Sequence, residues 1–512
     1  MDIDSKLDVP RQEVVDSASS SVVNEKTVDD ALVFLRQHQD VETSGAQVPA
    51  YVRRLRRKVD LYVISFLTVC YTLNFLDKVL YNYANVMGIS RSLHLTGNDF
   101  SNAASAFYIA DTVAGVPNTF LLQLLPTGKW LSICLLCWGI STSCHAALQN
   151  YGGLLTVRVL SGLFESCVPS ALMLLSSQYF TRREQATRFS VWYCGLGFGQ
   201  ILGGLISFAF QYVTGSFEGW RIMFLAVGLF TVLFSIAVFF LVPDTPMKAW
   251  FLTDEEKVIL LQHVKANQTG IENARFQPKQ LWEGVTDFQI WAIGATLLLQ
   301  GTGGGVVTTY SSTLVASFGF TPKISALLLM PSGLVSIAAA LVAGIGSRYY
   351  GHRWAFSLFV AAVGIAGAAM LAYIPHGNRA GLLASIYLVN SLTGAGPTEY
   401  QWVLGNTAGH NKRAFFSAML NSAFSIGNLV GPQTFKASER PTYQTARVSL
   451  VGTWSASAGG ILILVVYYVL VNRHRSRKAG PEAETNDTSD VEDSKAFAGL
   501  TDKQNPAFRY QY

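Results

Sequence analysis

Charge is what this chain has least of. Only 14% of its 512 residues are Asp, Glu, Lys or Arg, against about 25% in soluble domains, while half are apolar. That deficit excludes a water-covered globular surface and points to lipid as the solvent. Cysteine is also scarce: Cys70, Cys134, Cys137, Cys144, Cys167 and Cys194 all fall inside apolar runs, so a disulfide framework is not expected. Cys134 and Cys137 share one helix face but lack the two further soft ligands a zinc site needs. The first 50 residues hold no basic flank followed by an apolar core, so no cleaved leader is expected and the N-terminus should remain cytosolic. The last four residues, Arg-Tyr-Gln-Tyr, offer no prenylation box. No nucleophile–base arrangement or cofactor motif is visible, so neither an enzyme nor a bound cofactor or metal is expected.

What the chain has is long apolar runs. They repeatedly reach the roughly 18 to 20 residues that cross a bilayer, and segments of that length must be helices, because lipid leaves no partner for an open backbone. We read an all-α membrane protein with twelve transmembrane helices in two six-helix pseudo-repeats: about 59–82, 100–124, 129–148, 152–177, 188–212, 220–242, 288–316, 324–346, 354–374, 381–402, 414–433 and 449–471. The division is a tail 1–58, a first bundle 59–243, a central loop 244–287, a second bundle 288–471 and a tail 472–512. The polar stretches 1–50 and 479–512 lack periodicity and read as disordered. Repeated halves of this kind place a substrate at the interface between them.

Basic clusters orient the chain. Arg53, Arg54, Arg56, Arg57 and Lys58 precede the first span; Arg182, Arg183 and Arg188, then Arg348 and Arg353, then Lys412 and Arg413 lie between later spans; Arg473, Arg475, Arg477 and Lys478 follow the last. With twelve spans and both termini cytosolic, all of these fall inside, and the loop with Lys436, Arg440 and Arg447 is the exception. The net charge of +5 therefore reflects a membrane surface, not nucleic acid. Gly195, Gly199 and Gly203, like Gly427 and Gly431, repeat at the spacing that lets helices approach closely. The run Gly301 to Gly305, broken only by Thr302, should weaken its helix and permit bending.

An ionisable group in lipid costs roughly 2.5 to 3.5 kcal/mol on insertion scales, so Asp77 and Lys78 in the first span and Arg158 and Glu165 in the fourth stand out. At about 1.5 Å per residue, Asp77 lies about 25 Å beyond the cytosolic entry of its span and Arg158 about 10 Å from the outer entry of the fourth. Glu165, two turns from Arg158 on the same face, comes nearer the midplane. These groups are either ion pairs that lock helices or a site: two cations for an organic anion, two carboxylates for protons. Asn74, Gln300 and Asn421 are further candidate binding residues, with Glu399 and Asn428 behind them; His145 offers a pH-sensitive group, but near the outer end of its span it reads as an interface residue.

Several stretches together resemble the anion:cation symporter branch of the major facilitator superfamily, and within it the fungal allantoate and nicotinate permease group. They are Asn74-Phe-Leu-Asp77-Lys78, Arg158-xxx-Gly162-xx-Glu165, Gly219-Trp220-Arg221, Pro243-Asp244-x-Pro246, Asn406-x-Ala408-Gly409-His410-x-Lys412-Arg413, Gly427-Asn428-xx-Gly431-Pro432-Gln433, and the terminal Leu500-Thr501-Asp502-Lys503-Gln504-Asn505-Pro506-x-Phe508-Arg509-Tyr510. The resemblance implies that Asp77 and Glu165 take protons while Lys78 and Arg158 hold the substrate carboxylate. Lys78 stands where the group usually has Arg, which keeps the charge and loses the planar fork.

The expectation is a monomeric, proton-coupled symporter in the plasma membrane whose partners are a small organic anion, protons and the lipid bilayer. The alternative is an antiporter exporting a small apolar metabolite. Drug antiporters often carry a Gly-Pro-x-x-Gly-Gly element in the fifth span, and here the stretch Gly199-Gln200-Ile201-Leu202-Gly203-Gly204 lacks the proline. A sensor would want longer tails.

Overall fold

The computed structural model describes residues 49–213, 215–265, 278–375, 377–408, 410–439, 442–479, 501–504 and 508–511. Helices are the only regular elements among them. Twelve form the body: α1 Ser65–Met87, α2 Asp99–Leu124, α3 Thr127–Cys144, α4 Tyr151–Tyr179, α5 Thr187–Phe210, α6 Gly219–Leu241, α7 Phe288–Ser317, α8 Pro322–Tyr350, α9 Arg353–Tyr373, α10 over 379–405, α11 His410–Val430 and α12 Gln444–Ala479. Nine of the helices in the described residues are long and apolar enough to cross a bilayer by length and composition. The other three, α2, α10 and α11, carry more polar groups, Asp111 and Asn118, Glu399, and Asn421 and Asn428 among them, and are held by their neighbours.

Local chemistry sets the ends. Asn150 accepts a hydrogen bond from the Gly153 amide to start α4, Asp287 does so from Gln289 for α7, and Thr321 does so from Ile324, ahead of Pro322, for α8. Gly88, at φ 104°, ends α1 in the left-handed region where only glycine is comfortable. The glycine repeat in α5 packs on α1: a methyl group at Gly195 would sit 2.8 Å from the Thr68 carbonyl oxygen, and one at Gly199 the same distance from that of Thr72. The α7 run turns out to be a packing seat in an unbroken helix, not a bend. Gly301 lies against the Phe424 carbonyl of α11, Gly303 against the Trp454 indole, and a methyl group at Gly305 would lie 2.6 Å from the Asn428 carbonyl oxygen.

The two terminal segments meet the central segment on one face of the bundle, here the terminus face. Lys58 binds Glu256 at 2.6 Å, and Thr501 donates to Glu283 at 2.8 Å. On the opposite face the halves are stitched together. Asn82 of α1 donates to Ser311 at 2.6 Å and accepts from the Ser312 amide at 3.1 Å, Asn85 donates to Thr313 at 2.9 Å, and Gln433 donates to Ser105 at 2.9 Å.

The last residues correct the reading of 479–512 as disordered where they are described; 1–48 and 480–500 lie outside the described residues. Tyr510 stacks on Tyr468 at 4.9 Å, the Gln511 carbonyl accepts from Trp402 and Asn406 at 2.7 Å each, and Arg475 donates to the Phe508 and Asp502 carbonyls. Asp502 enters a buried cluster in which Lys412 contacts Glu283 at 2.9 Å and Asp287 and Asp502 at 2.7 Å each. Burial first, and then Asp502, raises the Tyr510 hydroxyl above the usual tyrosine range, so it stays protonated and donates to Asp502 at 2.6 Å. The tail is a clasp joining the ends of α7, α10, α11 and α12. Periodicity could not reveal it, because its bonds run to elements far off in sequence. Lys412→Met strands Glu283 and Asp502 and leaves Asp287 only Lys503 at 3.6 Å, and losing one partner of a buried pair costs about 3–5 kcal/mol. We expect a fall of several degrees in apparent Tm for the detergent-purified protein, partly recovered by adding Asp502→Asn. An unchanged Tm would show that the clasp does not stabilise the fold.

Candidate functional site

A cavity of ≈ 240 Å³ lies between the two sets of six helices, inward of the stitched face. It continues toward the terminus face between Met173, Phe189, Leu297, Tyr400 and Ala418. Aromatic rings form much of its wall: Tyr71 and Tyr193 lie 5.0 Å apart by ring centroid, Tyr71 and Trp192 likewise. Among the described residues its ionisable acids and bases of the carboxylate and amine kind are Lys78, Asp111 and Glu165, all on α1, α2 and α4. The opposite wall offers neutral polar groups, Gln300, Asn390, Asn421 and Asn428, with Tyr400 donating to Asn421 at 3.0 Å.

The four charges of α1 and α4, three of them buried and Lys78 partly exposed, pair crosswise. Lys78 forms an ion pair with Glu165 and also donates to the backbone carbonyl and side-chain oxygen of Asn74, both at 3.3 Å, one turn back on its own helix. Asp77, about 100° further round α1, accepts from Arg158 at 3.5 Å and from Thr142 at 3.0 Å. The Phe107 ring stands between the pairs, 5.2 Å from the Lys78 ammonium and 4.5 Å from the Arg158 guanidinium, and the Tyr81 ring is 4.3 Å from that guanidinium. Arg158 is therefore drawn off the cavity by one carboxylate and two aromatic faces. Behind the opposite wall, Gln300 donates to the buried Glu399 at 3.1 Å. Glu165 Oε2 and Glu399 Oε2 are both buried without a hydrogen-bond partner among the described residues.

A crossed pair of ion pairs beside a closed-ended central cavity, in two sets of six helices, is a transporter's arrangement, and the comparisons decide which kind. The family model described as Major Facilitator Superfamily matches residues 67–432. The chain belongs to that superfamily. It is 34% identical to a thiamine pathway transporter of Saccharomyces cerevisiae over 97% of this chain and 96% of the relative, and 29% identical to the allantoate permease of the same yeast over 94% and 90%. Among solved structures, a proton:xylose symporter of the superfamily superposes with a TM-score of 0.65 at 15% identity, covering 80% of this chain and 96% of that one. A bacterial homologue of the lysosomal transporter Spinster, in an inward-facing state, superposes with a TM-score of 0.59 at 16% identity over 78% and 96%. The protein is thus a multi-pass membrane transporter of the major facilitator fold and not an enzyme, as its sequence leads one to expect.

Of the residues singled out from sequence, Asn74, Lys78, Glu165, Gln300 and Asn421 line the major facilitator cavity, while Asp77 and Arg158 stand behind its wall. Two cations in the cavity are therefore corrected to one among the described residues, Lys78, which is paired with Glu165, while Arg158 pairs with Asp77. Spacing along α4 was sound, but the neighbouring helices decide which partner each charge meets. Sequence reading missed Asp111, although an acid inside the apolar run 100–124 was a visible signal. His145 is fully buried and stacks on Phe224 at 4.3 Å, where the sequence suggested an interface position.

Proposed function

We propose that the protein is a proton-coupled symporter that brings a small organic anion into the cytosol by alternating access, with both termini cytosolic and the plasma membrane as its site. The supporting observation is the Lys78–Glu165 pair on the cavity wall. A cation already neutralised by a carboxylate binds a second carboxylate poorly. A proton on Glu165 frees Lys78, and a substrate carboxylate on Lys78 leaves Glu165 buried without a counter-charge, a state that favours the neutral acid. Substrate and proton therefore strengthen each other's binding by the same factor. With both bound the pair is as well compensated as in the empty cavity, whereas proton or anion alone leaves an unpaired charge, so the empty and doubly loaded states are the ones that reorient across lipid at low cost. Asn74, Gln300 and Asn421 provide hydrogen bonds, and the Asp77–Arg158 pair holds α1 against α4 behind the site.

The basic clusters on the terminus face support the cytosolic assignment, and the stitched opposite face then makes the state inward-facing. The experiment is acidification-driven uptake into proteoliposomes over a panel of carboxylates. Uptake of no member, or uptake indifferent to a pH gradient, would rule the reading out. Within that assay Arg158→Lys should change apparent KM less than threefold, because Arg158 acts through Asp77 and not on the substrate. A loss of tenfold or more, the size of a charged hydrogen bond, would put Arg158 back in contact with the anion.

A further inference from the structure

Once Glu165 is protonated, the charges left on the cavity wall are Lys78 and Asp111, one positive and one negative. Asp111 has no cation partner among the described residues; its hydrogen bond is accepted from Ser425 of α11 at 2.8 Å, across the two sets of helices. Both line the same cavity. A plain anion would neutralise Lys78 and leave Asp111 as a lone charge in a cavity walled by Tyr71, Tyr108, Trp192, Tyr193, Tyr400 and Trp454. A molecule carrying its own positive nitrogen would compensate Asp111, and the surrounding ring faces favour a cation as well.

We infer that the transported molecule is dipolar: a carboxylate held by Lys78 and, elsewhere in the same small molecule, a cationic nitrogen held by Asp111. This rests on the proposed carboxylate role of Lys78 and adds a second recognition point, the acid of α2. Ser425 ties that recognition to the movement of the halves, since its hydroxyl reaches Asp111 from the other set of helices and occupancy of the acid bears on that bridge.

The test uses two sets of molecules matched in shape and differing in charge: nicotinate, its N-methyl zwitterion trigonelline and the N-methylnicotinamide cation; and pentanoate, γ-aminobutyrate and γ-aminobutyramide. Binding to the detergent-purified full chain is read as ligand-dependent thermal stabilisation, for wild type, Asp111→Asn and Lys78→Gln. Asn keeps an acceptor for Ser425, so only the charge is removed. The zwitterion of at least one set should bind about tenfold or more tightly than its anion, Asp111→Asn should erase that preference, and Lys78→Gln should weaken zwitterion and anion alike. Anions binding as well as zwitterions, with loss in Lys78→Gln, would overturn the dipolar inference and leave the anion symporter standing. Cations binding best and indifferent to Lys78→Gln would overturn both, as would failure of every molecule to bind. Loss of proton-driven uptake in Asp111→Asn with the preference intact would make Asp111 a proton carrier and also overturn the inference.

Discussion

Glu165→Gln is expected to exchange substrate across the membrane at near wild-type rates and to lose accumulation altogether. Gln imitates the protonated acid in shape and hydrogen bonding, so Lys78 stays free for the substrate on both sides of the membrane. With no proton to carry, the pH gradient no longer pulls. For one proton per substrate, and with the membrane potential clamped at zero, each pH unit supports about tenfold accumulation. The wild type should reach that ratio, and the variant should stop at unity. Asp77→Asn in parallel should fold less well and keep its coupling, because Asp77 lies behind the wall with Arg158. If Glu165→Gln still accumulates with the usual dependence on pH, coupling belongs to another carboxylate, Asp111 on the cavity wall or the buried Glu399 beside Gln300.

Lys78→Gln is expected to weaken substrate binding severely. Removing one partner of a buried, hydrogen-bonded charge pair costs about 2–5 kcal/mol, which puts the loss of affinity between roughly 30-fold and several thousandfold. The single variant also deprives Glu165 of its partner, so the double variant Lys78→Gln/Glu165→Gln is the control. It should match the wild type in yield and Tm and still show that loss of carboxylate affinity. Lys78→Arg should retain binding, with altered selectivity, since a planar fork replaces a point charge. Equal binding by wild type and the double variant would remove Lys78 from the site. Affinity is best measured in the purified protein, where transport rate does not enter.

How far the sequence could lead follows from which interactions are local. Span positions, the polar break at 244–287 and the unusual charges Asp77, Lys78, Arg158 and Glu165 depend on composition and helical spacing, and those can be read along one strand of text. The pairing of those charges depends on how α1 turns against α4 and on where Phe107 of α2 intrudes, which no single helix contains. Two cations of similar depth therefore had the same apparent claim on a substrate until neighbouring helices placed one inside the cavity and one behind it. The glycines of α7 looked like a hinge because their partners, Phe424, Asn428 and Trp454, lie well over a hundred residues away. The terminal segment was recognisable as a motif, yet its role waited on Lys412, Asp287 and Tyr468.

On the proposed mechanism substrate binding and the protonation of Glu165 are one linked event, which can be checked by counting protons. Purified protein in weakly buffered solution with a pH-sensitive dye is mixed with the tightest-binding carboxylate of the panel, at a pH where the empty site is unprotonated. Proton uptake should approach one per bound substrate in the wild type and be absent in Glu165→Gln, with binding preserved in both. Binding without proton uptake in the wild type, or uptake that persists in the variant, would contradict that mechanism.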